Sequence, residues 1–215
     1  MNRMLLPLLP LQFTQSVRAL PSKLSPLRVL FLAALLSGFA LSQPQLAWGF
    51  TVGGVSLTEQ QTSGDTVLHL NGAGIRNKFF LDVYVAALYT PDRVANAEAV
   101  LDAHVPQTVR LVITSSAITR QRLVDAITEG VQRSAGKDFP RYAPYLDQVW
   151  EALTFEVKKG DIYDFRYLPD QGVSIVRNGE VLRTIPEFEF KRVLFGIWLG
   201  KDPVQASLKK AMLHR

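Results

Sequence analysis

The chain has 215 residues, no cysteine and a formal net charge of +5. The lack of cysteine excludes disulfides, thiolate catalysis and cysteine metal sites. Four of the five net positive charges lie in residues 1–49, so the remainder is nearly neutral and gives no electrostatic reason to expect nucleic acid binding.

Residues 1–49 have the pattern of a targeting segment. Their only charges are basic, and they contain an apolar run of 13 residues at positions 29–41. That run suits the apolar region of a signal peptide and is shorter than the ~20 residues that span a bilayer. Small residues at Ala47 and Gly49 fit cleavage after Gly49. We therefore expect export to a bacterial periplasm and a single domain over residues 50–215, with an uncleaved membrane anchor as the alternative.

The first part of the expected domain is predicted to form strands. Residues 50–57 alternate loosely around Gly53-Gly54, which predicts a strand interrupted by a turn or bulge. Residues 66–70 predict a second short strand that leads into a Gly-Ala-Gly turn at 72–74. A longer strand, rich in aromatic and branched residues, is expected over residues 79–89.

Helices alternate with one strand in the middle of the chain. Asp92 can cap a helix over residues 93–102, and residues 108–114 alternate as a half-buried strand does. Thr119 can cap a further helix, and residues 140–153 predict a second amphipathic one. The apolar face of the helix after Thr119 comprises Leu123, Ala126, Ile127, Gly130 and Val131.

The chain then returns to strands before two final helices. Asn178-Gly179 is a strong signal for a type I′ hairpin. Residues 188–199 predict an apolar helix capped by Gly200, and Pro203 opens a last short helix. This order predicts an α+β domain in which an antiparallel sheet packs against helices gathered on one face. Four strands are expected before those helices: 154–158, 162–167, 172–177 and 181–184.

Few residues support catalysis or metal binding. His69, His104 and His214 lie far apart in the sequence and match no metal-ligand spacing. The sequence contains no Gly-x-Ser-x-Gly motif that would present a nucleophilic serine. We therefore expect no cofactor and no metal.

Arg76 is the main candidate for a binding residue. It comes before an apolar strand, and a guanidinium among apolar groups is costly to desolvate unless an anion pairs with it. Its planar fork suits a carboxylate or a phenolate, whereas the other interpretation is a surface arginine after a tight turn. By strand parity Lys78 and Tyr84 share one face, and Tyr89 lies on the other unless a bulge intervenes. Either tyrosine could instead pack its ring in the core.

Two distant segments of the sequence together resemble a known family. The first comprises Gly72-Ala73-Gly74-Ile75-Arg76, Lys78-Phe79, Val83-Tyr84 and Leu88-Tyr89. The second comprises residues 195–200, Pro203 and Lys209. Over roughly residues 50–212 the chain resembles the chalcone isomerase-like family, including its bacterial members. The resemblance implies an open-faced β-sandwich of chalcone isomerase type, in which a large antiparallel sheet packs against a layer of helices and the ligand cleft lies between them.

The resemblance also implies roles for particular residues. The family includes plant enzymes that close a chalcone into a flavanone, fatty-acid-binding relatives, and members without the activity. Arg76 corresponds to the arginine that meets the substrate phenolate or the fatty-acid carboxylate, and Tyr84 falls near the enzyme's catalytic threonine. The enzyme's cleft tyrosine and asparagine correspond to Leu123 and Gly130, neither of which donates a side-chain hydrogen bond. A polar residue that helps to select the substrate corresponds to Lys191.

These departures favour a binding protein over an enzyme, because each missing donor is typically worth about 10²–10³ in rate. We expect an exported, non-catalytic monomer that holds a small amphipathic anion, such as a fatty acid, in the cleft. The expected ligand-binding residues are Arg76, Tyr84, Lys78 and Tyr89. Two alternatives stay open: an isomerase or intramolecular lyase with altered donors, and an accessory protein that presents a surface to a cell-envelope partner.

Overall fold

The computed structural model of the protein describes residues 49–214. The expected targeting segment lies outside these residues, except for Gly49 at the start of the first strand. The described strands are β1 (Gly49–Val52), β2 (Val55–Thr58), β3 (Gln60–Ser63), β4 (Thr66–Lys78), β5 (Leu81–Thr90), β6 (Gln107–Ile113), β7 (Ile162–Leu168), β8 (Gly172–Arg177) and β9 (Glu180–Ile185). The described helices are α1 (Ala97–Asp102), α2 (Arg120–Ala135), α3 (Phe139–Ala152), α4 (Phe188–Leu199) and α5 (Ala206–Leu213), with a 3₁₀ turn at Gly136–Asp138.

Seven strands form one antiparallel sheet in chain order from β3 to β9, and β1 and β2 form a separate hairpin. Side chains alternate between two cores along β5. Ala86 and Leu88 belong to the core beneath the helices, whereas Val85 and Ala87 pack in a smaller core with residues of the β1–β2 hairpin. The predicted α+β class, with an antiparallel sheet and helices on one face, is confirmed.

Helix α4 is the centre of the helical layer, and its predicted bounds are confirmed. Nine of its twelve residues are buried, so it packs on nearly every side. Helix α2 approaches it closely at Gly130, where a Cβ would lie 2.8 Å from Cγ2 of Ile197. Among residues 49–214, no helix combines the length and the apolar character needed to cross a bilayer.

The glycines at 72 and 74 lie inside a continuous strand, so the predicted turn at 72–74 is wrong. Helix α5 packs directly on them. A Cβ on Gly72 would lie 2.7 Å from the carbonyl oxygen of Met212, and one on Gly74 would lie 2.7 Å from Cβ of Ala211. Both distances are shorter than real side chains allow. The glycines therefore serve close packing of a helix on the strand rather than a change of chain direction.

The turn that follows β4 is formed by Phe79 and Phe80. Lys78 pairs with Leu81, so the hairpin loop has two residues, and φ is 49° at Phe79 and 65° at Phe80. Positive φ at both positions is typical of a type I′ turn, which favours Asn-Gly. Bulky side chains adopt this conformation with strain. The strand predicted over residues 79–89 is therefore wrong at its first two residues, which form the turn, and β5 begins at Leu81.

The β8–β9 hairpin uses the same geometry with the favoured residues. Its loop is Asn178-Gly179, with φ of 50° and 91°, and the predicted hairpin is confirmed. We expect the double substitution Phe79→Asn/Phe80→Gly to raise the free energy of unfolding by about 1–2 kcal/mol, because it removes two strained positions. Urea unfolding measures this change. The reverse exchange at positions 178 and 179 should destabilise the protein, and a double variant at 79 and 80 that is less stable than wild type would contradict the argument.

The helix expected over residues 93–102 is shorter than predicted, because Asn96 caps it later. The Oδ1 atom of Asn96 accepts hydrogen bonds from the backbone N–H groups of Glu98, at 2.8 Å, and Ala99, at 3.1 Å. This satisfies two free donors of the first turn. Asp92 therefore does not cap the helix, and α1 begins at Ala97.

Two further differences concern strands and the last helix. Residues 154–158 form no strand and instead connect α3 to β7, whose two neighbours in the sheet are β6 and β8. Strand β3 was not predicted, because its polar sequence shows no apolar alternation. The last helix begins at Ala206 rather than at Pro203.

Candidate functional site

A cavity of about 600 Å³ lies between the sheet and the helical layer. Strands β4 to β6 form one wall, and α2 and α4 form the other. Its volume is within the range of small-molecule sites, about 300–1,000 Å³. The apolar part of its lining includes Val83, Leu111, Leu123, Ile127, Ile197 and Trp198. The cavity can therefore accommodate an apolar group of substantial size.

Arg76 lies in the wall of this cavity, near the end of β4. Its Nη1 atom donates to the backbone oxygen of Asn77 and, at 3.2 Å, to Oε1 of Gln205. Gln205 also accepts from the Asn77 backbone N–H at 3.0 Å and donates to the Ile75 oxygen at 3.2 Å. No carboxylate of residues 49–214 forms an ion pair with Arg76. The guanidinium is thus held by neutral groups and keeps donors for an anion.

Tyr84 lies directly opposite Arg76 on the neighbouring strand. Its hydroxyl oxygen accepts a hydrogen bond of 3.0 Å from Nε1 of Trp198. Desolvation by burial raises the pKa of Tyr84, so its hydroxyl stays protonated at neutral pH. Within the described chain the hydroxyl proton has no acceptor, so it can be donated to a ligand.

Arg133, on α2, brings a second guanidinium to the same cavity. Its Nε atom is buried without a hydrogen-bond partner, and its charge acts on Tyr84. No ion pair joins Arg133 to a carboxylate of the described residues. Asp125 and Glu129 also line the cavity, on the same helix. An unpaired buried donor close to a neutral phenol favours a negatively charged partner.

The other two expected binding residues lie in different places. Lys78 lines the outer part of the cavity, where its side chain is exposed and its Nζ is 5.7 Å from the Phe79 ring. Tyr89 belongs to the core on the opposite face of the sheet, as strand parity indicated. Its hydroxyl donates to the Thr58 oxygen at 3.0 Å, and Arg110 lies 5.5 Å from its ring. The structure brings Arg76, Tyr84 and Lys78 to one cavity, and Tyr89 is outside it.

Leu123, Gly130 and Lys191, which by the family resemblance correspond to polar residues of the plant enzymes, do not all lie in the cavity. Leu123 lines the cavity, whereas Gly130 packs against Ile197. Lys191 is fully buried outside this cavity, and its Nζ donates to the backbone oxygens of Val100, Leu101 and Ala103 at 2.7, 2.9 and 3.0 Å. These oxygens belong to the end of α1, so the expected substrate-selecting role of Lys191 is replaced by a structural one.

Three residues of the candidate site were missed from sequence: Trp198 and Arg133, which line the cavity, and Gln205, which contacts Arg76. Arg133 follows Ala126 by seven positions, which places both on the same side of α2, so helical spacing could have found it. Trp198 resembled one more apolar residue of a buried helix. The contact between Gln205 and Arg76 spans 129 positions, and no local pattern signals it.

Comparisons with known proteins agree with this architecture. A family model described as chalcone isomerase-like matches residues 49–214. The chain is similar to the crystal structure of an Arabidopsis thaliana fatty-acid binding protein, with a TM-score of 0.63 and 18% sequence identity. The alignment covers 74% of this chain and 92% of the other. No curated protein sequence matches the chain. The seven-stranded antiparallel sheet with its helices thus has the chalcone isomerase-like fold.

Proposed function

This chain belongs to the chalcone isomerase-like family, and on that premise we propose that it is an exported, non-catalytic protein that binds a small amphipathic anion. A fatty acid is the proposed ligand. Its carboxylate meets Arg76 and Tyr84, and its acyl chain occupies the apolar cavity between sheet and helices. Export is part of the proposal because residues 1–49 have the pattern of a signal peptide.

The observation that carries this proposal is the Arg76 guanidinium, which lies in the wall of an apolar cavity without a carboxylate partner in the described chain. A carboxylate can accept from the guanidinium and from the Tyr84 hydroxyl at the same time, and hydrogen bonds to a charged group are the stronger kind. The neighbouring Arg133 adds positive charge. The structural similarity to a plant fatty-acid binding protein supports an acyl chain as the apolar part.

Isomerase activity is less well supported by the cavity. Closure of a chalcone requires donors that polarise an enone as well as a cation for the phenolate. Leu123 contributes only apolar surface, and Gly130 lies against Ile197 rather than in the cavity lining. The arrangement can hold an anion, and Tyr84, Arg76 and Arg133 are the polar groups that can contact it. We therefore favour binding over catalysis.

Replacement of Arg76 tests the proposal. We expect Arg76→Met to weaken the binding of a long-chain fatty acid by about tenfold to a hundredfold, because hydrogen bonds to the carboxylate are lost. Displacement of a fluorescent fatty acid from the purified protein measures the affinity. Arg76→Met should change the affinity for the corresponding fatty alcohol little, because the alcohol has no charge that pairs with the guanidinium.

Arg183→Met is the matched control, because Arg183 is an exposed arginine of β9 outside the cavity. It should leave both affinities unchanged. Mass spectrometry of lipid extracted from the purified protein identifies the ligand acquired in the cell. Retention of fatty-acid affinity by Arg76→Met would refute the assigned role of the guanidinium.

A further inference from the structure

The turn between β4 and β5 exposes three large apolar side chains. Phe79 is 83% exposed, Phe80 is fully exposed and Leu81 is 52% exposed. Exposed single apolar residues are common, but three adjacent ones at the tip of a hairpin form an apolar protrusion. We call residues 78–81 the aromatic tip.

The requirements of the turn do not explain these phenylalanines. Both have positive φ, and the same chain builds its other two-residue turns of this kind with Gly53-Gly54 and Asn178-Gly179. Asn-Gly adopts the geometry without strain, so the turn would form more easily without aromatic residues. A bulky side chain kept in a strained, exposed position is typical of functional surfaces.

Other exposed apolar residues lie at the same end of the sheet. Strand β7 begins, and strands β6 and β8 end, at the end of the sheet that carries the aromatic tip, as the antiparallel register requires. Phe155, 46% exposed, lies in the connection that enters β7, and Val181, 56% exposed, is near the start of β9. Five of the seven exposed large apolar side chains of the described residues are therefore at one end of the sheet.

The aromatic tip also adjoins the proposed binding cavity. Lys78, Phe79 and Leu81 contribute to its lining, together with Arg76. A ligand that enters beside these residues contacts the apolar side chains of Phe79 and Leu81 at the entrance of the cavity that contains the guanidinium. Lys78 can extend its amine towards water or headgroups while its stem lies on apolar surface.

We propose that the aromatic tip inserts into the interface of a lipid bilayer and opens the cavity towards it. The exchange of ligand with the membrane rests on the proposed function, whereas insertion itself does not. The side chains of the tip are too few to form a standard protein interface, which buries about 800 Å² on each partner. Phe155 and Val181 are separated from the tip by intervening strands, and a bilayer can contact such separated points at once.

The charges near the tip favour insertion driven by apolar surface. The cations at this end include Lys78, Lys158 and Lys159, and the acids include Asp82, Glu156 and Glu180. Opposite charges are balanced, so the interaction should not require anionic lipid and should persist at high salt. Vesicles of phosphatidylcholine are therefore the appropriate probe.

Tryptophan placed at the tip reports directly on insertion. The full chain carrying Phe80→Trp is mixed with phosphatidylcholine vesicles whose acyl chains are brominated. The emission added by this tryptophan should shift to the blue and be quenched. Val67→Trp is the control, because Val67 is also exposed but lies near the opposite end of β4, about 40 Å away along the strand. Equal quenching at both positions, or none at position 80, would overturn the proposal.

A second variant separates membrane contact from ligand binding. Phe80 does not line the cavity, so Phe80→Gly should leave the affinity for a soluble fluorescent fatty acid within about twofold. Its partition to the vesicles should fall about tenfold, because the most exposed ring is lost. Quenching without fatty-acid binding would support insertion and refute the proposed function. Fatty-acid binding with unchanged partition of Phe80→Gly would refute insertion and leave the proposed function standing.

Discussion

Replacing Gly72 with alanine is expected to lower the free energy of unfolding by about 3 kcal/mol. The added methyl group would meet the backbone oxygens of Ala211 and Met212, which belong to α5 and cannot move independently of the helix. Helix α5 would have to move away from β4. Because Gln205 is the N-cap of this helix and contacts Arg76, the affinity for a fatty acid should fall as well. Urea unfolding and fluorescent-ligand displacement measure the two effects.

Gly74 provides a matched comparison on the same strand. A Cβ there would meet a side-chain atom, Cβ of Ala211, rather than backbone oxygens. Ala211→Gly should therefore recover part of the stability lost in Gly74→Ala, even though glycine in a helix itself destabilises by about 1 kcal/mol. The same second substitution should not rescue Gly72→Ala. Equal rescue at both positions would show that the backbone contact is not the cause.

Replacing Lys191 with methionine is expected to destabilise the protein by about 2–4 kcal/mol, because three backbone oxygens at the end of α1 lose their donor. Below its pKa the side chain is an ammonium, and the three acceptors match its three N–H groups. The Lys191 Nζ also lies 5.2, 5.4 and 5.6 Å from the ring centroids of Tyr167, Phe188 and Phe195. A methionine fills the space without replacing these interactions.

The contribution of Lys191 should depend on pH. Burial lowers the pKa of Lys191 to about 7, below its ordinary value of about 10.4. Between these values the unfolded chain binds more protons at this residue than the folded chain, so the stability that Lys191 contributes rises from about pH 7 to about pH 10. Urea unfolding of wild type and Lys191→Met at both ends of this range measures it. Lys201→Met, at an exposed position, is the control.

Much of the fold could be predicted because most elements carry local signals. Residues 188–199 are apolar over a helical length, Thr119 caps a helix, and Asn178-Gly179 requires a turn. The sheet pairs each strand with the next, so hairpin order and sheet order coincide. The wrong predictions concern residues whose role depends on contacts with distant parts of the chain. Gly72 and Gly74 resemble turn residues in sequence, and only the packing of a distant helix explains them.

The candidate site was also predictable in part, because some of its residues carry local sequence signals. The positions of Arg76 and Tyr84 could be predicted from two neighbouring strands, and strand parity placed Tyr89 on the opposite face of the sheet. The partners that define the site, Trp198 and Gln205, come from the other end of the chain. Lys191 was misinterpreted because alignment with a polar family position gives no information on which face of a buried helix that residue occupies.

The contact between Gln205 and Arg76 has a consequence for the order in which the molecule forms. Hairpins such as β4–β5, β7–β8 and β8–β9 pair sequence neighbours across short loops, so they can assemble early with little loss of chain entropy. The anchoring of Arg76 requires the loop of more than a hundred residues between positions 76 and 205 to close. The proposed ligand site is therefore incomplete in a chain that has built only its sheet, and it is completed by the docking of the last helix.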